Sequence, residues 1–129
     1  MEHKGTKRLK TERLILRPFE ETDAENMFRN WACDPEVTKF LTWPAHESAE
    51  VTKKVLRGWI DDYSRADNYQ WAIELKEIGE PIGSISAVKL DEETGSVTVG
   101  YCIGRSWWRQ GITAEALRAV ISFSLRRLG

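Results

Sequence analysis

Cysteine is scarce in this sequence, and the two that are present, Cys33 and Cys102, fit no spacing used by metal ligands. Without a set of paired cysteines we expect a reduced, cytoplasmic setting. Long apolar runs are also missing, because no stretch has the length of a bilayer-spanning helix. The beginning of the chain is basic but lacks the apolar core of a signal peptide, so we expect residues 1–10 to form a flexible tail.

An excess of charge of one sign is absent as well. Lysine and arginine together number 19, against 20 for aspartate and glutamate, which gives a formal net charge of −1. This balance does not favour nucleic acid or an anionic membrane as a partner. With 129 residues, 41% of them hydrophobic and 30% charged, the chain is typical of a single soluble globular domain.

Hydrophobic periodicity predicts an α+β fold of mixed layers, with the element order β-α-α-β-β-β-α. A first strand is predicted over residues 11–18. A helix follows from a capping box formed by Thr22 and Glu25, and a longer helix opens at Ser48. Between the two helices, residues 37–44 are predicted to be an irregular apolar connection.

Three strands are predicted after the longer helix, at residues 69–75, 82–90 and 97–103, where apolar and polar side chains alternate. The turns between them are short, one of them at Gly79, and short turns favour an antiparallel meander. The last predicted element is a helix over residues 111–128. It is apolar nearly all round, which predicts burial on more than one side.

The most informative stretch is the loop between the last strand and the last helix, residues 105–113. Arg105 and Arg109 add positive charge, no carboxylate lies within the loop, and Gly111 allows a ligand to approach the backbone closely. Amide groups and the dipole at the start of a helix bind phosphate without side-chain ligands. The loop therefore predicts a pyrophosphate site, and the alternative is a helix start whose glycine only relieves crowding.

Competing phosphate-binding motifs are excluded by sequence. The Gly-x-x-x-x-Gly-Lys-Ser/Thr pattern of a magnesium-nucleotide loop is absent, so the pyrophosphate is expected to be held without a metal. The glycines do not have the spacing of a dinucleotide-binding fold, and the preceding strands are predicted to be antiparallel.

Three motifs lie at defined points of the chain: Thr-Glu-Arg-Leu-Ile-Leu-Arg-Pro at 11–18, Gly-Tyr at 100–101, and Trp-Arg-Gln-Gly-Ile-Thr-Ala-Glu-Ala at 108–116. Together they resemble the RimJ/RimL-like branch of the GNAT acetyltransferase superfamily. The family pattern at the loop is Gln/Arg-x-x-Gly-x-Gly/Ala, from which Trp108 and Thr113 depart. The resemblance covers residues 11–129 as a GNAT-like acetyl-CoA-binding domain that lacks the C-terminal part of the family fold.

The resemblance implies an N-acetyltransferase that moves acetyl from acetyl-CoA to a primary amine, a protein N-terminus or a small molecule, by direct attack. The strand before the loop is expected to carry a bulge, and the pantetheine arm to pair with it near Cys102 and Ile103. The pyrophosphate is expected on the amides of the loop residues, Trp108, Arg109, Gln110, Gly111, Ile112 and Thr113. No metal ion is implied.

The resemblance leaves the general base open. Many relatives have a glutamate where this chain has Thr98, and a threonine hydroxyl is a poor base. Thr98 and Glu74 are the catalytic candidates, beside His46 and a water relay. Cys102 is interpreted as a small strand residue at the cofactor groove and not as an acyl carrier.

Tryptophan is abundant, with six residues in the chain. Trp31, Trp43 and Trp71 are candidates for the wall of an acceptor pocket. Core packing is the alternative for each of them.

The resemblance also implies that relatives continue with a fifth strand, another helix and a closing hairpin. Without them, the last helix and the last strand edge would expose apolar surface and unpaired backbone groups. We therefore expect self-association through these surfaces, and weak turnover. The alternatives are a non-catalytic CoA-binding or dimerisation module, and a small RNA-binding sheet, which the near-neutral charge disfavours.

Overall fold

A single antiparallel sheet of five strands forms the centre of the computed structural model, which describes residues 7–39, 45–63, 69–91 and 96–127. The spatial order of the strands is their order in the chain. They are β1 (Leu9–Lys10), β2 (Leu14–Arg17), β3 (Tyr69–Leu75), β4 (Glu80–Asp91) and β5 (Ser96–Ile103). The predicted α+β class and antiparallel meander are confirmed.

The described helices are α1 (Ala24–Met27), α2 (Pro35–Thr38), α3 (Ala49–Asp62) and α4 (Ile112–Arg127). A π-helical segment, Phe28–Ala32, continues α1, and 3₁₀ turns at Glu21–Asp23 and Arg105–Trp107 precede α1 and α4. The longer helix begins where the sequence predicts, because the Ser48 hydroxyl accepts a hydrogen bond from the Val51 N–H. Within the described ranges, no helix is long and apolar enough to cross a membrane.

Helices cover both faces of the sheet, because successive residues of a strand point to opposite faces. On one face, Trp71 and Ile103 pack with the inner side of α4. On the other face, Ala72 and Cys102 pack with α1, the π-helical segment and α3. The last strand, β5, therefore ends the described sheet with a helical layer on either side.

The first helix begins differently from the prediction. The sequence predicted a capping box of Thr22 and Glu25, whereas the capping box is formed by Glu20 and Asp23. Asp23 Oδ2 accepts a hydrogen bond from the Glu20 N–H at 2.8 Å, and the two Asp23 oxygens accept from the Arg17 guanidinium at 2.8 and 2.9 Å. The helix start is thus selected by a buried ion pair that the local pattern does not contain.

Two elements were missing from the predicted order. Residues 37–44 were predicted to be irregular, but α2 begins with Pro35 in its first turn and Asp34 as its cap. Leu9 in β1 pairs with Leu16 in β2, so the sheet begins within the segment that was predicted to be a flexible tail. The first predicted strand is correspondingly shorter, residues 14–17 instead of 11–18.

The last helix, α4, buries one face and not several. Its inner residues recur every three or four positions and are at most 2% exposed; they are Ile112, Ala116, Val120 and Phe123. Ile121, on the outer side of the helix, is 44% exposed. The prediction of burial on more than one side is therefore wrong for the described residues.

Both irregularities of strand pairing lie on β4. One extra residue lies between Ala87 and Lys89 opposite β5, and another lies between Pro81 and Gly83 opposite β3. The paired residues of β5 run without an extra residue. The bulge expected in the strand before the loop is therefore on its neighbour, β4.

Candidate functional site

A groove of about 620 Å³ opens beside the C-terminal half of β5, where the strand gives way to the loop. Residues of α2, β5, the loop and the first turn of α4 line it: Val37, Tyr101, Cys102, Ile103, Trp108, Arg109 and Thr113. Carboxylates are absent from this described lining. An anion that enters the groove therefore meets the positive charge of Arg109 without an opposing charge from the walls.

The outer edge of β5 presents backbone groups to the groove. The Gly104 N–H donates to Ile82 O of β4 at 2.8 Å, and backbone groups of successive strand residues point to alternate sides. The N–H and C=O groups of Ile103 and Tyr101 therefore point away from β4. The Ile103 carbonyl accepts a hydrogen bond from the Trp108 indole N–H at 2.8 Å, which holds Trp108 against the end of the strand.

Two residues of the loop have a left-handed backbone, Arg109 with φ of 63° and Gly111 with φ of 75°. This conformation costs a residue with a side chain about 1–2 kcal/mol, and such strain collects at ligand sites. Turns of this kind direct amide N–H groups into a concave surface that binds anions. A Cβ on Gly111 would lie 3.5 Å from Arg13 Nη2, an ordinary contact. At position 111 it is therefore the positive φ, and not crowding, that favours glycine.

The beginning of the loop is fixed to α2 and to the π-helical segment. Arg105 Nε lies 3.0 Å from Asp34 Oδ2, and Oδ1 of the same carboxylate accepts from the Glu36 N–H to cap α2. A Cβ on Gly104 would overlap the carbonyl oxygen of Asn30. These contacts set the position of the α2 wall of the groove relative to the loop.

Cys102 contributes to the groove and to the core at once. Its side chain is 8% exposed and belongs to the core on the α1 face of the sheet. Burial raises the pKa of its thiol to about 12. The thiol is therefore protonated at neutral pH and is a weak nucleophile, in line with its interpretation as a strand residue.

Gln110, Gly111 and Ile112, which were also predicted to bind the cofactor, lie outside the groove lining. Gln110 Nε2 donates to Ser106 O at 3.1 Å. Ile112 is 2% exposed and packs in the core beneath α4, so its side chain is not available to a ligand.

Glu74, a candidate base, is part of a buried ion network. Its Oε1 lies 2.8 Å from Arg17 Nε, and the two side chains are 17% and 11% exposed. The same guanidinium binds Asp23, and the hydrogen bonds to Asp23 and Glu74 raise the pKa of Arg17 despite its burial. Glu74 thus has a structural partner that the sequence did not indicate.

The structure describes the side chain of one of the other two candidate bases, His46, but not that of Thr98. Thr98 pairs with Lys89 across β4 and β5, and its side chain lies outside the described part of the structure. His46 is 8% exposed, and its Nδ1 lies 2.6 Å from the Thr52 hydroxyl. Burial lowers the pKa of His46, so the imidazole is neutral at pH 7.

Two of the tryptophans proposed for an acceptor pocket are fully buried. Trp71 packs edge to face with Phe123, with ring centroids 5.6 Å apart, and its indole N–H donates to Lys7 O. Trp31 lies in the π-helical segment with its ring centroid 6.3 Å from that of Phe19. Both side chains belong to the cores and not to an open pocket. Trp43 lies outside the described residues.

Sequence reasoning did not assign two residues of the groove lining, Val37 and Tyr101. A signal for Tyr101 exists, because it lies two positions from Ile103 on the same strand and therefore shares its face and edge. Val37 has no such signal. The position of α2 depends on the pairing of Asp34 with Arg105, which are 71 residues apart by their numbering.

Comparison with known proteins assigns the chain to a family. The sequence profile of the acetyltransferase (GNAT) domain matches residues 13–129, and the chain belongs to this family. The uncharacterized N-acetyltransferase p20 of Bacillus licheniformis is 32% identical over 121 residues, which cover 93% of this chain and 67% of that protein. The uncharacterized N-acetyltransferase YoaA of Bacillus subtilis is 31% identical over 121 residues, covering 94% and 68%.

Solved structures share the fold. RimL, a ribosomal L7/L12 α-N-protein acetyltransferase, superposes with a TM-score of 0.76 at 23% identity, covering 94% of this chain and 66% of RimL. A GNAT-family acetyltransferase from Bacillus anthracis gives a TM-score of 0.77 at 20% identity, covering 95% and 68%. A further RimL structure, in complex with coenzyme A, gives a TM-score of 0.73 at 22% identity, covering 94% of this chain and 69% of that one. The resemblance to the GNAT superfamily is confirmed.

Proposed function

We propose that this chain binds acetyl-CoA along the outer edge of β5 and transfers the acetyl group to a primary amine. Membership of the acetyltransferase family supports acetyl transfer in general. The observation that carries the finer proposal is the groove, where an outward strand edge, a left-handed loop and a lining without carboxylates lie together. A strand edge suits the amide-bearing pantetheine arm, and loop amides at a helix start suit the diphosphate.

The chemistry follows from the thioester. The amine nitrogen attacks the carbonyl carbon, a C–N bond forms, the C–S bond breaks, and CoA leaves as a thiolate that takes up a proton. Outward N–H groups of β5 are suited to stabilise the oxyanion of the intermediate. The amine must first lose a proton, because an alkyl ammonium with a pKa of about 10.4 in water has no lone pair.

The source of the base determines the expected rate. Thr98 is a poor base, and the Glu74 carboxylate is bound by Arg17. We therefore propose a water relay as the route for the amine proton, and low turnover as its consequence. The proposed acceptor is a protein N-terminus or a small-molecule amine. The fold shared with RimL supports the first of these.

A non-catalytic CoA-binding module is the second candidate function. The pairing of Glu74 with Arg17 favours it, because this carboxylate is held by another side chain and does not line the groove. The two functions share the binding step and differ in turnover. Release of free thiol from acetyl-CoA in the presence of a panel of amines and N-terminal peptides separates them.

Binding is tested by calorimetry with acetyl-CoA, CoA and dephospho-CoA. The wild type is expected to bind all three, because the loop contacts the diphosphate that they share. Gly111→Glu disfavours the left-handed turn and adds a carboxylate that competes for Arg13, and it is expected to abolish binding. Binding that survives this change would show that the loop assignment is wrong.

We also propose that two copies of the chain associate through the outer side of α4 and the part of the β5 edge that precedes the groove. Ile121 is 44% exposed on the outer side of the helix. Light scattering over a range of concentrations tests the association. Ile121→Lys is expected to weaken it by placing a charge in the contact, and a wild type that stays monomeric at high concentration would contradict the proposal.

A further inference from the structure

Arg13 contacts the loop and is absent from the groove lining. It lies just before β2, which is separated from β5 by two strands, β3 and β4. Arg13 Nη1 donates to Gln110 O at 2.9 Å. In a trans peptide, the carbonyl of one residue and the N–H of the next point in opposite directions. Arg13 therefore holds the Gly111 N–H pointing away from itself.

Glu115 fixes the position of Arg13. Its Oε1 accepts from Arg13 Nε at 2.6 Å, and its Oε2 accepts from the Arg13 backbone N–H at 2.9 Å and from the Thr11 hydroxyl. The Glu115 N–H in turn donates to Gly111 O at 3.1 Å. Both carbonyls that flank the Gly111 N–H, those of Gln110 and Gly111, are thus held by this pair of residues.

The same contacts control the charge near the start of α4. Burial alone would raise the pKa of Glu115, but hydrogen bonds from Thr11 and Arg13 lower it, so the carboxylate is ionised at neutral pH. An unpaired carboxylate in the first turn of a helix would repel an anion bound there. Because Arg13 lies against Glu115, the charge is balanced at short range.

We propose that Arg13 is a positioning residue for the diphosphate of acetyl-CoA. It orients the Gly111 amide through the Gln110 carbonyl and does not contact the ligand. This inference rests on the proposed function, and it predicts an effect confined to ligands that carry a diphosphate.

The test compares Arg13→Met and Arg13→Lys with Arg57→Met. Arg57 Nε pairs with Glu21 Oε1 at 2.8 Å, and neither residue lines the groove, so Arg57→Met is a matched control for the loss of an exposed arginine–carboxylate pair. Arg13→Met is expected to weaken CoA binding about tenfold, because an amide that contacts a charged group is no longer oriented. Arg13→Lys keeps the charge without the guanidinium fork, and its CoA affinity is expected to lie between those of the wild type and Arg13→Met. The control is expected to bind as the wild type does.

The second measurement is the response to S-acetylpantetheine, which lacks the diphosphate. Its KM is expected to be unchanged in the Arg13 variants, whereas the KM for acetyl-CoA rises. In ¹⁵N-glycine-labelled protein, CoA is expected to shift the Gly111 amide proton downfield in the wild type and less in Arg13→Met. An equal loss for both acyl donors would overturn the inference, because it would indicate a general structural defect.

The failure of this inference and the failure of the proposed function have different signatures. If the wild type and folded Arg13→Met bind CoA equally, the positioning role is wrong and the proposed function stands. If the wild type does not bind CoA, both are wrong. If Arg13→Met does not fold, as shown by its thermal melt, Arg13→Lys decides the question, because the lysine retains a cation beside Glu115.

Discussion

Gly111→Ala tests whether the left-handed turn of the loop is needed for ligand binding. With φ of 75° at this position, an alanine is strained by about 1–2 kcal/mol. The new Cβ would make an ordinary contact of 3.5 Å with Arg13 Nη2, so the backbone conformation accounts for the expected effect. In the free protein the exposed loop can relax toward negative φ, and binding must then restore the left-handed turn. The same 1–2 kcal/mol therefore appears in binding, as a loss of about 5- to 30-fold in CoA affinity.

Gly79→Ala is the matched control. Gly79 has φ of 66°, and a Cβ there would meet no atom within 4 Å. The strain at Gly79 is therefore similar to that at Gly111, but Gly79 lies in the turn between β3 and β4 and not in the loop before α4. We expect Gly79→Ala to lower the melting temperature by about 4 °C per kcal/mol of strain and to leave CoA affinity unchanged.

Calorimetric titration with CoA and differential scanning calorimetry supply the two readouts. The reasoning is refuted if Gly111→Ala binds CoA with wild-type affinity while its melting temperature falls as much as that of Gly79→Ala. Such a result would show that the loop keeps the left-handed turn in the free protein. The strain would then lower the stability of the free and bound protein equally, and no part of it would appear in binding.

Three further predictions concern stability. Gly104→Ala drives a Cβ into Asn30 O and is expected to lower the free energy of unfolding by about 1–3 kcal/mol. Gly58→Ala, inside α3, has no atom within 4 Å of its Cβ and is expected to raise the free energy of unfolding by about 0.5–1 kcal/mol. Urea denaturation measures both. Burial lowers the pKa of His46 from 6.5, so the unfolded chain binds a proton at this imidazole more readily than the folded chain does. The contribution of neutral His46 to the free energy of unfolding is therefore complete above pH 6.5 and is lost as the pH falls. Denaturation midpoints between about pH 7.5 and pH 5 are expected to fall less in His46→Gln. Arg17→Met leaves two buried carboxylates without their cation and is expected to cost about 3 kcal/mol in the same urea assay.

The sequence predicts those parts of the fold that depend on local pattern. Alternation and turn chemistry place β3, β4 and β5 within a few residues of their observed ends, and the Ser48 cap places the start of α3. Gly111 was singled out by its residue type, and its positive φ is a property that glycine tolerates. These predictions succeed because each signal lies within a few residues of the structure that it specifies.

The predictions that fail depend on partners that are distant in the chain. Glu20 and Asp23 form the capping box that precedes the first helix, and Arg17 binds Asp23, whereas Thr22, which has the better local pattern, does not form the box. Trp31 and Trp71 were assigned to a pocket by residue type, but sheet register and helix packing bury both. The contacts of Arg13 with Gln110 and Glu115 could not be predicted from the sequence either, because only the register of β2 and the placement of α4 bring these residues together.

The candidate site has a cofactor-binding half, which relies on backbone groups, and a catalytic half, which relies on side chains. The proposed cofactor half relies on backbone groups, so the departures from the family pattern at Trp108 and Thr113 are compatible with it. Trp108 holds the Ile103 carbonyl, and Thr113 lines the groove. The catalytic half needs an uncommitted titratable side chain. Glu74 is bound to Arg17, and His46 is buried against Thr52. The geometry therefore favours cofactor binding more strongly than rapid turnover, and a protein that binds CoA tightly but releases thiol slowly is the outcome that this division predicts.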